Sequence, residues 1–157
     1  MLDLITFRWL ERYKEYGLFF IRLTIGFRLI YGVADNVFSW AHMVEFRDFL
    51  DKLGVPFPMF GAHLSAYAQF ICGILFIVGF AFRPASFVMV INFIFALLIA
   101  HRTGGYAPAA AAWIMLFTSL GFLVHGAGKL SLDERLTARD RERESSPAPP
   151  AVLPPRT

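Results

Sequence analysis

The sequence predicts an all-α membrane protein, an up-down bundle of four transmembrane helices with a short interfacial helix between the first and second spans. Three observations lead there. Of 157 residues, 57% are apolar, 17% aromatic and only 17% charged, against about a quarter charged in soluble domains. Four apolar runs, at residues 17–38, 60–82, 84–101 and 106–125, approach or exceed the roughly 20 residues needed to cross about 30 Å of hydrocarbon. Two of the three connections between these runs are short, which makes neighbouring helices antiparallel and a bundle the economical arrangement.

The elements follow in order. Residues 1–16 form an amphipathic segment, with Leu2, Ile5, Trp9, Tyr13 and Tyr16 on one helical face, and are expected to lie along the membrane. The first span carries Arg22, Arg28 and Asp35 inside IRLTIGFRLIYGVADN. Its length, its internal arginines and its lack of a small-x-small cleavage site argue against a removed signal peptide. In the long connection SWAHMVEFRDFLDKLGVPFP, apolar Met43, Phe46, Leu50 and Leu53 recur at helical spacing, which predicts the interfacial helix. Ser39 is placed to cap its start, and Gly54 with Pro56 to end it. Pro84 and Pro108 suit the first turns of spans three and four, where a missing N–H costs nothing. The four-span domain is expected over 17–136. Residues 137–157, charged and then Pro-rich, are expected to form a disordered tail.

Charge sets the orientation. Ten Lys and Arg lie in the N-terminal segment, the second connection and the tail, against three (Arg47, Lys52, Arg102) in the other connections. The positive-inside rule then puts both termini in the cytoplasm. A formal net charge of +3, with basic residues at the ends of apolar runs, fits topology rather than nucleic-acid binding. Cys72 is the single cysteine, which excludes a disulfide or a CxxC redox pair within this chain.

At about 1.5 Å per residue, Arg28, Gln69 and Asn92 all fall near the bilayer midplane. A charge at that depth costs about 2.5 to 3.5 kcal/mol on insertion scales, so Arg28 is expected to face the bundle interior. Ser65, Gln69, Cys72 or Gly73 on span two, and Ala85, Asn92, Ala96 and Ala100 on span three, mark inward faces. These residues predict a polar pocket built on Arg28, Gln69 and Asn92. It either binds a ligand or joins the helices. Asp35 lies two turns after Arg28 on the same face, within range of an ion pair or a water bridge. The guanidinium would suit a carbonyl-bearing or anionic ligand, such as a quinone or an oxidised sulfur species. Tyr31, Asp35 and His101 could form an outer proton relay. Arg22, being shallower, is expected to snorkel to the headgroups. No metal site is expected, since no histidines or thiolates have ligand spacing. Gly126 and Gly128 are expected to end span four, with Ser131 or Asp133 capping the short helix after it and Lys129 meeting headgroups or last-turn carbonyls.

Several stretches together resemble the DoxX family, over residues 18–136. They are RLxxGxxxxYG in the first span, LGVPFP before the second, GILFIVGFAFRPA across the next turn, His101 closing the third and GAGKLSLDERL after the fourth. Two departures stand out. Ala127 occupies the middle of what is Gly-Pro-Gly in the family, and Gln69 stands where many members carry an acidic residue. The resemblance implies a four-span protein of the bacterial cytoplasmic, or inner, membrane. In some members it implies a subunit of quinone-linked or thiol and sulfur oxidoreductase systems. The expected function is therefore a membrane component of such a redox system, acting with a partner protein or as a homo-oligomer. The alternative is a non-enzymatic permease-like or scaffold protein. The sequence does not decide whether the chain is an enzyme. It has no nucleotide loop or cofactor fingerprint, so redox chemistry would depend on a diffusible ligand, with quinone the cofactor candidate, or on a partner.

Overall fold

In the computed structural model, residues 13–99 and 106–145 are described. The predicted amphipathic segment up to residue 12, the 102–105 turn with His101, and the last twelve residues lie outside them. Six described helices follow one another: α1 Lys14–Phe38, α2 Trp40–Lys52, α3 Pro58–Val78, α4 Phe82–Ile99, α5 Tyr106–His125 and α6 Leu132–Ser145. Three carry segments long and apolar enough to cross a membrane, Tyr16–Phe38 in α1, Pro58–Val78 in α3 and Phe82–Ile99 in α4, while α5 offers the shorter apolar stretch Ala109–His125.

Local sequence sets the breaks. α1 ends where Ser39 turns extended, its N–H donating to the Asp35 carbonyl at 2.9 Å. Ser39 is the N-cap of α2, as expected, but makes no side-chain cap bond there. Gly54, at φ 74°, donates to the Asp51 carbonyl and ends α2. Pro58 opens α3 at a position that needs no donor. Gly79 closes α3 in the left-handed region at φ 72°, donating to the Leu75 carbonyl at 2.8 Å.

The core has two parts. Ile25 and Leu29 of α1, Cys72 and Phe76 of α3, Phe82, Met89 and Phe93 of α4, and Met115, Leu116 and Phe122 of α5 form the larger one. Within it Phe76, Phe82 and Phe122 meet with ring centroids 5.0 to 5.3 Å apart. Fully buried rings need no hydrogen-bond partner, which suits Phe there better than Tyr. The smaller core seats α2 on the bundle through Met43 against Val33, Ala62 and Ala66.

α1 and α3 cross at two glycines. A Cβ added at Gly26 would stand 2.7 Å from the Gly73 carbonyl oxygen, and one at Gly73 would stand 2.8 Å from the Gly26 carbonyl oxygen. The two backbones therefore touch, as small residues permit between membrane helices.

The segment expected to be disordered from residue 137 is helical through Ser145. Its residues are nearly all exposed, so packing does not hold the helix. Strong helix formers such as Leu, Ala, Glu and Arg, with Asp133 and Glu134 in the first turn and Arg143 in the last, favour it locally.

Candidate functional site

Midway along α3 and α4 three polar side chains form a chain. The Ser65 hydroxyl donates to Asn92 Oδ1 at 2.8 Å, and Gln69 Nε2 donates to the Ser65 hydroxyl at 3.2 Å. Asn92 Nδ2 is buried with no acceptor. A buried amide donor without a partner forfeits about 1 to 3 kcal/mol, so this atom marks a place where a partner would be accommodated. Ser65 and Asn92 line a cleft of about 440 Å³ between α2, α3 and α4. Its other walls are apolar, including Phe46 and Leu50 of α2, Leu64 of α3, and Ile91 and Phe95 of α4. Leu64, Ile91 and Phe95 are exposed on the outer surface of the helices, so the cleft is open to whatever surrounds the spans. Its size lies within the range of small-molecule pockets.

The second polar assembly lies at the end of the bundle where α3 turns into α4. Arg22 is 1% exposed. Its Nη1 donates to the Ala127 carbonyl at 2.6 Å and its Nη2 to the Leu130 carbonyl at 2.8 Å. The guanidinium carbon stands 5.6 Å from the centre of the Phe19 ring and 5.7 Å from that of Phe82, a favourable cation–π arrangement. Asp133 adds a carboxylate close enough to attract it. That carboxylate accepts the Ala81 N–H and the Phe82 N–H, each at 2.9 Å, while the Asp133 backbone N–H donates to the Gly79 carbonyl at 3.0 Å. Ala81 takes a left-handed φ of 47° to present its N–H. Ser131 bonds the Gly128 carbonyl and caps α6 by accepting the Glu134 N–H. Gly126 and Gly128, at φ 85° and 75°, make the intervening turns. The segment 126–133 is thus folded back over the α3–α4 turn and clamped from below by Arg22. Beside it a recess of about 830 Å³ is bordered by Arg83, His125, Lys129 and Arg141 as well as Asp133 and Asp140.

Several expectations are corrected. Arg22 is buried and tied to backbone carbonyls instead of snorkelling. Arg28, expected in the interior, is exposed on the outer face of α1 with Tyr31 and Asp35. The physical reason is helical phase: Arg22, Ile25, Gly26, Leu29 and Val33 recur at i, i+3, i+4, i+7 and i+11 and define the buried side, and Arg28 falls off that stripe. The structure therefore joins Gln69 and Asn92 through Ser65 but does not bring Arg28 to them. Arg28 and Asp35 share a face without forming an ion pair. Asp133 caps α4, and Ser131 alone caps α6. His63 is satisfied locally, with Nδ1 2.9 Å from the Met59 carbonyl oxygen. His101 lies outside the described residues. Arg22 was the missed residue; its position at the head of RLxxG, four residues before the contact glycine Gly26, was the available signal.

Apolar helices of spanning length around a mid-span polar chain, with a cleft open to the helices' surroundings, define a multi-span helical membrane protein. The chain belongs to the DoxX family, whose family model matches residues 17–102. The match stops short of the GAGKLSLDERL segment. The uncharacterized membrane protein Rv3486 of Mycobacterium tuberculosis is 27% identical over 103 residues, covering 57% of this chain and 63% of that protein. The chain thus spans less than two thirds of the length of that curated relative. No solved structure matches it.

Proposed function

We propose that this protein is a membrane component of a quinone-linked or thiol and sulfur redox system, and that it takes a quinone-class ring in the cleft between α2, α3 and α4. The observation that carries the reading is the unpartnered Asn92 amide donor beside an apolar cleft of about 440 Å³. A quinone is an apolar ring with carbonyl acceptors, and it reaches its sites from within the bilayer. Asn92 would donate to one carbonyl after a small side-chain rotation, with Ser65 and Gln69 holding the amide oxygen. The redox partner would be a separate protein, because the chain's one thiol, Cys72, is buried in the core. In this reading α5 completes a fourth span in the bacterial inner membrane. The Arg22 and Asp133 end, with both termini, faces the cytoplasm.

Asn92→Leu in nanodiscs is expected to weaken binding of a short-chain naphthoquinone about tenfold, the loss of one hydrogen bond. Arg28→Leu is expected to bind like the parent. Unchanged binding by Asn92→Leu would remove the cleft from consideration. A second reading, a scaffold or permease-like protein in which these residues only join helices, is favoured by the hydrogen bonds they make with one another. It predicts that Asn92→Leu costs about 0.6 to 1.7 kcal/mol of stability in a parent that binds no quinone.

A further inference from the structure

The outward face of α1 carries a feature the proposed redox role does not use. Thr24, Arg28, Tyr31 and Asp35 recur at i, i+4, i+7 and i+11 on the side turned away from the core, all of them exposed, with Tyr31 at 72%. Thr24 is satisfied by its own helix, donating to the Phe20 carbonyl at 2.9 Å. Among the described residues Arg28 has no hydrogen bond or ion pair, although it lies near the middle of the Tyr16–Phe38 span. Ten residues separate it from Phe38, about 15 Å along the helix. A charged side chain at that depth is found with a partner, because hydrocarbon offers none.

The side chain's direction indicates which partner. Arg28 Nη1 stands 2.6 Å from where a Cβ on Gly32 would be, so the guanidinium lies one turn up the helix, over the glycine, toward the level of Asp35. Side chains on a helix lean toward its N-terminus, which brings the Asp35 carboxylate down to meet that level. Even raised in this way, the guanidinium lies about 9 Å below the end of α1, short of the headgroups beyond it.

We propose that a second copy of this chain packs against this face in the same membrane orientation, each Arg28 pairing with Asp35 of the partner subunit across a two-fold axis. The opposite charges share one stripe, so two copies satisfy both reciprocally and leave no charge facing lipid. Tyr31, stacked on Phe27 with centroids 6.0 Å apart, fills the centre between the two pairs. A symmetric dimer needs such a self-complementary patch.

Oxidative cross-linking of the full-length chain in native membranes tests this. Tyr31→Cys is expected to give a disulfide-linked dimer. Phe117→Cys, also well exposed but on α5, and the parent with its buried Cys72 are expected to give none. Arg28→Leu or Asp35→Asn, each combined with Tyr31→Cys, should lower the dimer yield about tenfold. Co-expressing these two chains with different tags should restore the mixed dimer, since one reciprocal pair survives in it. The elution volume of each variant in detergent confirms that it is folded. Cross-linking at Tyr31→Cys no better than at Phe117→Cys would overturn the proposal. So would a mixed dimer as scarce as either variant alone, the result expected if the charges pair within one chain or reach lipid phosphate.

Discussion

Arg22 and Arg28 lie six residues apart on one helix and have opposite environments. Arg22 is sealed in the core with two carbonyl acceptors, and Arg28 lies on the outer surface. Counting residues from the helix ends puts Arg28 near the middle of the Tyr16–Phe38 segment but says nothing about which way it faces. The phase was also legible, in the spacing of Ile25, Leu29 and Val33, and it assigns the core side to Arg22. What no spacing reveals is Arg22's partners, since they are backbone carbonyls 105 and 108 residues away. Replacing Arg22 with Leu is expected to cost on the order of 3 kcal/mol, because two charge-assisted hydrogen bonds to part-buried carbonyls are lost. Arg22→Lys recovers little of this, as a compact ammonium cannot fork to two acceptors in that geometry. Thermal unfolding in detergent measures both. Asp133→Ala should cost a similar amount. The double variant should lose less than the sum, because both side chains hold one segment.

Among the elements, the α1–α3 crossing is the tightest contact. Gly26→Ala or Gly73→Ala places a methyl against the facing backbone and is expected to destabilise by about 1 to 3 kcal/mol. Gly17→Ala, with nothing within 4 Å, is expected to leave the melting temperature unchanged or slightly raised. Helix propensity favours Ala there. Ser65, Gln69 and Asn92 meet, but the buried side of α4 runs through Phe82, Ala85, Ser86, Met89 and Phe93, and Asn92 lies at its edge beside the cleft, because apolar side chains decide the packed stripe. The start of α6 was expected from its cap, but its continuation through residues 137–145 was not, since that part of the helix buries almost nothing. Its cap and end charges are local signals of a different kind.

At the scale of the molecule, the alternation of apolar runs and turns predicts the succession of helices, and Gly126 marks the end of α5 as expected, whereas the second apolar run, expected to reach residue 82, breaks at Gly79 because that residue takes a left-handed φ of 72° and closes α3 at Val78. The closure at one end was not legible, because it depends on the Asp133 side chain, in the first turn of α6, reaching across to cap α4. Removing residues 138–157 is therefore expected to leave the melting temperature of the purified protein unchanged. Removing 131–157 takes away the Ser131 and Asp133 hydrogen bonds and should lower it by several degrees, with limited proteolysis opening the α3–α4 turn.

The Arg22 clamp also has a consequence in time. At about 5 to 20 residues per second, the chain has Arg22 in place about 5 to 20 seconds before the ribosome supplies Ala127 and Leu130. During that interval the guanidinium has neither of these carbonyl partners and depends on other acceptors for its hydrogen bonds. The arginine settles only when the last apolar helix has been delivered.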